Sequence, residues 1–422
     1  MSFETISVIG LGYIGLPTAA MFASRKKKVI GVDVNQYAVD TINQGKIHIV
    51  EPDLDMIVHA AVAEGYLSAI TTPEPADAFL IAVPTPFLPC EDGDIPAPDL
   101  SYIEAASKAI APVLKKGDLV ILESTSPVGA TEQMAAWLAE ARTDLTFPQT
   151  HGEAADVNVA HCPERVLPGH VVRELVENDR VIGGMSVRCS ERSVELYKTF
   201  VKGECVVTNA RTAEMAKLTE NSSRDVQIAF ANELSIICDK LNINVWELIA
   251  LANRHPRVDI LQPGPGVGGH CIAVDPWFIV SKTPEEAQII HTARRVNDSK
   301  PEWVLVKLKV ILAEFLFANP TKTASDVTVA CYGLAFKPNI DDLRESPAMQ
   351  IVEEISNFHA GRLIVVEPNI HQLPSNLSGA ELSQLNESLT QADIHIMLVD
   401  HDEFKALTPQ QGLILDTKGV WR

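Results

Sequence analysis

Short apolar runs alternate with amphipathic stretches at both ends of the chain. Near the N-terminus, "TISVIGLG" and "KVIGVDV" are runs closed by glycine or aspartate, and "AFLIAVPTP" and "DLVILEST" repeat the form. Runs this short, bounded by turn residues, predict buried strands. Between them, "YIGLPTAAMFASR" and "LSYIEAASKAIAPVL" are helix-like. Strands alternating with helices predict βαβ units and a parallel sheet. From 205 to 255 the pattern changes to strong helix formers with neither proline nor glycine. This stretch predicts mainly one long helix, from about Arg211 to Lys240, and a shorter one over 244–253. A loop follows, "PGPGVGGHCIAVDP" at 263–276, whose four glycines and three prolines no regular element accommodates. After about residue 320 the alternation resumes, with "DVTVACYGLA", "RLIVVEP", "DIHIMLVD" and "GLILDTKG" as expected strands. The expected architecture is α/β: two Rossmann-like, doubly wound parallel-sheet domains joined by a central helical segment. The expected boundaries are 1–204, 205–318 and 319–422.

Composition narrows the class. The 422 residues are 46% hydrophobic and 21% charged, as in globular proteins. No apolar run reaches the ~18 residues of a membrane span. The N-terminus moves directly into a strand and a glycine loop rather than a signal peptide, so a cytoplasmic protein is expected. A net charge of −20 argues against nucleic-acid and anionic-membrane partners, though not against a small anionic ligand met by local lysines and arginines. The seven cysteines are an odd number with no C-x-x-C pair, which fits neither a disulfide framework nor a zinc site. Most are expected to be buried thiols, and no metal is expected. Cys271, set in the glycine-proline loop, stands apart.

Gly10, Gly12 and Gly15 form G-x-G-x-x-G between an expected strand and helix. The first glycine makes the turn, the second admits a pyrophosphate to the backbone, and the third lets helix pack on strand. Asp33 closes the next strand, eighteen residues past Gly15. There it can accept a bond from a ribose hydroxyl and repel a 2′-phosphate, which favours NAD over NADP. Lys26 to Lys28 read as a solvated turn.

Lys217, Asn221 and Arg224 stand at i, i+4 and i+7 of the long helix, within about 60° of one another. Alone they would be a solvated face. Beside a nucleotide domain and the cysteine loop they are candidates for holding an oxyanion and a phosphate. Asp275, four residues past Cys271, offers a carboxylate that could position water or take a proton. A thiol next to a dinucleotide site suggests aldehyde chemistry: the thiolate adds to the aldehyde, and the thiohemiacetal gives up hydride to become a thioester.

The glycine fingerprint, "ESTSPVG", "HCPERVLPG", "AEMAKLTENS", "PGPGVGGHCIAVDP" and "GLAFKPNIDDLRESPA" occur in this order. Together they resemble the UDP-glucose/GDP-mannose dehydrogenase family over essentially the whole chain. The glucose enzymes typically carry G-G-S-C-F-P-K-D around the cysteine. Here His270 replaces the serine and Val274 the lysine, a form similar to the branch that oxidises UDP-N-acetylhexosamines. "ANRHPRVDILQPGPG", "DPWFIV" and "DTKGVWR" point within that branch to UDP-N-acetyl-D-mannosamine, with UDP-N-acetylglucosamine as the alternative substrate.

The resemblance implies a four-electron oxidation at C6 with two NAD molecules, serving synthesis of a surface polysaccharide, the enterobacterial common antigen. It makes Cys271 the nucleophile and Lys217 and Asn221 the oxyanion donors, with Lys217 also favouring the Cys271 thiolate. Asp275, with Glu164 or Thr125, would handle the hydrolytic water. Tyr13, Ile14, Thr85 and Thr125 would border the cofactor. Arg165, Val166, Lys217, Asn221, Arg224 and Gly268 would line the substrate, and Phe336, Lys337, Arg344 and Lys418 would hold its UDP end. The C-terminal "CYGLAFKP" lacks the second and third fingerprint glycines, so it should bind something other than a dinucleotide. His255 and Arg257 would reach the other subunit's site in a homodimer with shared active sites. Two other readings compete. A two-electron hydroxyacid dehydrogenase shares the fingerprint, lysine and asparagine but needs no cysteine. A non-catalytic nucleotide sensor would have no need of Cys271, Lys217, Asn221 and Asp275 together.

Overall fold

A computed structural model describes residues 3–49, 51–91, 93–166, 169–269 and 271–421. The chain divides into two compact units, 1–220 and 221–422. The division falls inside a continuous helix, Ala210–Leu241, close to the expected 211–240.

The first unit is built on β1 (Thr5–Ile9), β2 (Lys28–Val32), β3 (Leu67–Ile70), β4 (Ala78–Ile81), β5 (Leu119–Leu122), β6 (Asn158–His161), β7 (Arg180–Gly184) and β8 (Cys205–Asn209). Their order across the sheet is β3-β2-β1-β4-β5-β6-β7-β8. The pairing is parallel except between β6 and β7, where His161 opposes Gly183 in antiparallel register. Alternate residues of each strand feed opposite helical layers. Ile6, Val8, Leu80 and Ile121 pack with Phe22, Tyr197 and Phe200 on one face. Ile9, Ile81, Val120 and Leu122 pack with Ile103, Met134 and Leu138 on the other. Strands buried on both faces are mostly apolar, which is why these runs do not alternate with polar residues, buried Ser7 in β1 being an exception.

The 205–318 segment was expected to be helical, with its long helix starting at about Arg211 and no strand in front of it. Instead, Cys205–Asn209 is the edge strand β8, paired in parallel with β7 from Arg180↔Cys205 to Gly184↔Asn209. "CVVTN" has a β-branched core that favours extended backbone, and β7 offers it a partner edge.

The second unit carries β9 (Val329–Tyr332), β10 (Leu363–Val366), β11 (Glu381–Leu382), β12 (Ile394–Met397) and β13 (Leu413–Asp416), in the order β11-β10-β9-β12-β13 and all parallel. Its sheet is again buried on both sides, with Val329, Cys331, Val365 and Ile396 in one cluster. Ala330, Tyr332, Ile364 and Met397 lie in the other. The unit also holds the remainder of the long helix and helices Val245–Ala252, Asp275–Lys282 and Gln288–Ala318.

Two long helices hold the glycine-proline loop at its start. Asn232 accepts the Gly264 amide at 2.8 Å and donates to Asn297 at 2.9 Å. Asn297 in turn donates to Asp225 at 2.8 Å, and Arg294 bonds the same Asp225 oxygen at 2.6 Å. All four side chains are buried.

Candidate functional site

In the first unit, Gly10 ends β1 with φ +91°, a left-handed conformation that glycine adopts without strain. A β-carbon on Gly15 would lie 1.8 Å from the Gly10 carbonyl oxygen, so only glycine lets the helix Gly15–Ser24 start there. Gly12 is exposed, and a β-carbon on it would meet nothing within 4 Å. The helix behind it has no side-chain cap and no acid in its first turn.

Three other helices of this unit are treated differently. Glu214 accepts from Gly129 and Thr131 ahead of helix Ala130–Ala141. Glu51 accepts from Gly169 and Val171, and Glu153 from Val187 and Arg188, at two further helix starts. Carboxylates neutralise those N-termini, whereas the helix at the fingerprint has no acid in its first turn, an arrangement suited to an anion. Asp33 holds this turn in place: its two oxygens accept from Leu11 and Asn35 at 2.8 Å each. It remains half-exposed. Thr85, in the loop after β4, has a buried hydroxyl with no protein partner. Tyr13 and Ile14 flank the fingerprint, with Tyr13 39% exposed. The residues present fit a dinucleotide.

Thr125 lies in the loop after β5, half-buried. Glu164 follows β6 and is nearly buried. One of its oxygens accepts the Arg165 amide at 2.6 Å and the other a guanidinium N–H of Arg180 at 2.5 Å. Arg180 also reaches Glu123 at 3.2 Å and lies over the Tyr197 ring at 4.2 Å. Burial pushes the Glu123 carboxyl above the ordinary range, and Arg180 opposes that shift. No spacing pattern announces this buried group, because its members follow or stand on separate strands and helices. Arg165 is engaged with Glu220 at 2.6 Å, and Val166 packs on the core. Lys217 is buried to 9% exposure.

The second unit contains the cysteine loop. Of the seven thiols, Cys162, Cys189, Cys238 and Cys331 are buried, and Cys90 and Cys271 are exposed. Burial pushes the Cys162 and Cys331 thiols up, out of nucleophilic range. The Cys271 carbonyl accepts from Val274 and Asp275, so the residue lies in the turn that opens helix Asp275–Lys282. Asp275 is only 3% exposed, and Asn221 donates to it at 2.5 Å. The structure therefore joins two of the expected site residues that stand 54 residues apart in the sequence. Arg224 is exposed on the same helix as Asn221.

Gly268 backs onto the C-terminal loop: a β-carbon there would lie 2.3 Å from the Glu345 carbonyl oxygen and 2.9 Å from Phe336 Cβ. Lys337 adjoins Phe336, and Lys418 lies beside Gly264 while pairing with Asp400 at 3.1 Å. Arg344 is gripped by Asp342 through two bonds of 2.8 and 2.6 Å. Meeting a diphosphate would require it to exchange that partner. His255 and Arg257 are exposed, and the Arg257 amide donates to His255 Nδ1. His270 lies outside the described residues. No described helix is long and apolar enough to cross a membrane.

Profiles of the NAD-binding, central and UDP-binding domains of one family match residues 4–201, 211–299 and 330–422. A UDP-N-acetyl-D-mannosamine dehydrogenase from Yersinia pestis is 68% identical, with 100% of each chain covered. An NDP-N-acetyl-D-galactosaminuronic acid dehydrogenase from Ralstonia nicotianae is 63% identical over 100% of this chain and 97% of that one. A solved structure of a UDP-N-acetyl-mannosamine dehydrogenase from S. aureus superimposes with a TM-score of 0.85 at 41% identity, covering 99% of this chain and 96% of that one. With an NAD-binding fingerprint, a UDP-binding second unit and full-length relatives of this kind, the chain belongs to the UDP-glucose/GDP-mannose dehydrogenase family.

Proposed function

We propose that the protein oxidises UDP-N-acetyl-D-mannosamine at C6 to the uronate, by four electrons, through a covalent Cys271 intermediate. The observation that carries the chemistry is the exposed Cys271 in the turn that opens the Asp275 helix, with Asp275 itself held by Asn221. The sugar follows from the 68% identical relative. NAD, when bound at Gly10–Gly15, Asp33 and Thr85, supplies the hydride acceptor for both oxidations.

The chain's own residues do the rest. Lys217 exchanges the proton of the C6 alcohol. Cys271 Sγ then adds to the aldehyde carbon, forming a C–S bond that stops the aldehyde escaping. Lys217 and Asn221 donate to the oxygen that carries the developing charge. After the second oxidation, water attacks the thioester carbon, the C–S bond breaks, and the thiolate is restored. Asp275, with Glu164 or Thr125, orients that water and receives its proton. Arg165, Val166, Arg224 and Gly268 line the sugar and phosphates, and Phe336, Lys337, Arg344 and Lys418 hold the UDP end. His255 and Arg257 serve the neighbouring active site of a homodimer. The product is a uronate donor for a surface polysaccharide, the enterobacterial common antigen, made in the cytoplasm.

The test is stoichiometry and selectivity. Purified protein should yield two NADH per UDP-N-acetyl-D-mannosamine, and Cys271→Ser should abolish net turnover while retaining NAD binding. One NADH per substrate, or near-normal turnover by Cys271→Ser, would sink the covalent mechanism. A panel adding the UDP-N-acetyl derivatives of glucosamine and galactosamine and UDP-glucose tests the sugar. The galactosaminuronate relative at 63% identity makes the galacto-configured sugar the second reading.

A further inference from the structure

The loop after β9 is held by a buried group that the chemistry above does not use. Leu334 and Ala335 donate their amides to one oxygen of Glu367, at 2.7 and 3.1 Å. His401 Nε2 bonds the same oxygen at 3.0 Å. Asn369 donates its amide and its side chain to the other oxygen at 3.1 Å each. Glu367 is 4% exposed and His401 fully buried. Burial opposes the Glu367 charge, but the bonds from His401, Leu334 and Asn369 outweigh it and bring its pKa down to about 2.

The other nitrogen of His401 looks outward along the loop. His401 Nδ1 lies 2.9 Å from the backbone nitrogen of Asn339. A backbone amide can only donate, so Nδ1 accepts and the ring proton sits on Nε2, facing Glu367. Asn339 has φ +63°, a conformation that asparagine tolerates better than most residues. Its side chain and Asp402 bond each other reciprocally, at 2.8 and 3.1 Å. The loop between Leu334 and Asn339 is thus tied at its start to Glu367 and at its end to His401 Nδ1, which the Asn369 side chain also reaches at 3.2 Å. Between the ties lie Phe336 and Lys337. The Phe336 ring backs Gly269, whose β-carbon would lie 3.0 Å from it.

We infer that His401 is a positioning residue for the UDP end of the substrate, acting through the Asn339 amide to hold Phe336 and Lys337 in place. This rests on the reading that those two residues receive the nucleotide. His401 touches no substrate atom. It sets the loop that does, and its two nitrogens divide the work: Nδ1 orders the loop, and Nε2 satisfies the buried Glu367.

The two nitrogens can be tested separately. Asparagine presents its amide near the Nδ1 position and glutamine near the Nε2 position. His401→Asn should keep an acceptor for Asn339 while lowering thermal stability, because Glu367 loses a donor. His401→Gln should keep the Glu367 bond and lose the Asn339 one. For His401→Gln, KM for the UDP-sugar and Kd for UDP should rise roughly tenfold or more, the usual cost of a stranded amide. Its kcat at saturation should stay within about threefold and its Kd for NAD unchanged. For His401→Asn, KM should stay within about threefold of wild type. Calorimetry with UDP and NAD on the full chain, beside steady-state kinetics, reads all of these. UDP binding by wild type with an unchanged UDP Kd in His401→Gln overturns the inference alone. Equal KM rises in both variants that track their loss of stability also overturn it. A wild-type chain that binds no UDP overturns the underlying reading and the inference with it.

Discussion

The two sheets begin with the same device and use it for different ends. In the first unit, Gly10 follows β1 at φ +91°, its amide bonds Val32 of β2 at 2.8 Å, and Leu11 donates to Asp33 at the end of β2. In the second, Gly333 follows β9 at φ +92°, its amide bonds Val366 of β10 at 2.8 Å, and Leu334 donates to Glu367 at the end of β10. From there they part. After Gly10 the chain enters a helix within five residues and leaves that helix uncapped. After Gly333 it makes a long excursion, and the next helix, Pro347–Phe358, starts with its own Ser346 as cap. The acid at the strand end follows suit. Asp33 is half-exposed and keeps lone pairs for a ligand. Glu367 is closed over by His401 and Asn369. A strand-end acid is therefore not by itself a nucleotide ligand. What decides is whether the helix behind the turn is left open and whether the acid faces solvent.

The largest way to break this parallel is at the glycines. Gly15→Ala puts a β-carbon 1.8 Å from the Gly10 carbonyl oxygen. Gly333→Ala puts one 2.4 Å from Val399 Cβ at positive φ. Each should cost roughly 2–4 kcal/mol or more in urea unfolding. Gly15→Ala should also abolish NAD binding, whereas Gly333→Ala should leave NAD affinity within about twofold wherever the chain remains folded. Equal loss of NAD binding in both would show that the loops are not separate devices.

The buried acid comes next. The Glu367 pKa falls from 4.5 to about 2 on folding. Its contribution is therefore present above about pH 4.5 and lost as pH falls through 2, on the order of 3 kcal/mol in all. Unfolding measured from pH 6 to pH 2 should steepen in that window for wild type and flatten for Glu367→Gln. Parallel curves would mean that Glu367 gains nothing from its donors.

How much of this was legible in the sequence follows from the range of each signal. The fingerprint could be read because its three glycines, strand and helix lie within a few residues, and each glycine answers a local steric demand. The long helix could be read from the absence of breakers, whereas the strand β8 in front of it was assigned no element, because its pairing edge, β7, comes only with the fold. Gln288–Ala318 lies in the expected helical segment but was not delimited as a helix, and Pro301 inside it breaks the pattern that would have marked it. The Glu367–His401 pair spans 34 residues and the Glu123–Arg180 pair 57, with no spacing rule connecting them. Only the sheet order brings them together. Cys271 stood out because its loop is extreme in composition, but the Asn221–Asp275 bond beside it needed the fold.

Gly12→Ala sharpens the comparison more finely. Its β-carbon meets nothing within 4 Å, so stability should hold to within about 0.5 kcal/mol. NAD, which needs that opening, should bind at least about tenfold more weakly, on the order of 1.4 kcal/mol. A matching fall in stability would mean that the glycine serves the fold rather than the ligand.

The smallest effect lies in what Asp33 does with its exposure. If it faces the adenine ribose, its charge opposes a 2′-phosphate, and removing the charge should relax cofactor choice. Asp33→Asn has one acceptor oxygen where aspartate has two, so either Leu11 or Asn35 must turn its amide to water. The site is half-exposed, so water can replace the lost partner, and stability should fall by about 1 kcal/mol or less. Two unit charges near a protein surface interact by a few kcal/mol at contact, and salt and solvent reduce that to about 1–2 kcal/mol here. The ratio of kcat/KM for NADP over NAD should therefore rise roughly tenfold in Asp33→Asn, and the gain should shrink as ionic strength increases. An unchanged ratio with a lower thermal midpoint would make Asp33 a fastener of the glycine turn, the role that Glu367 plays in the other unit.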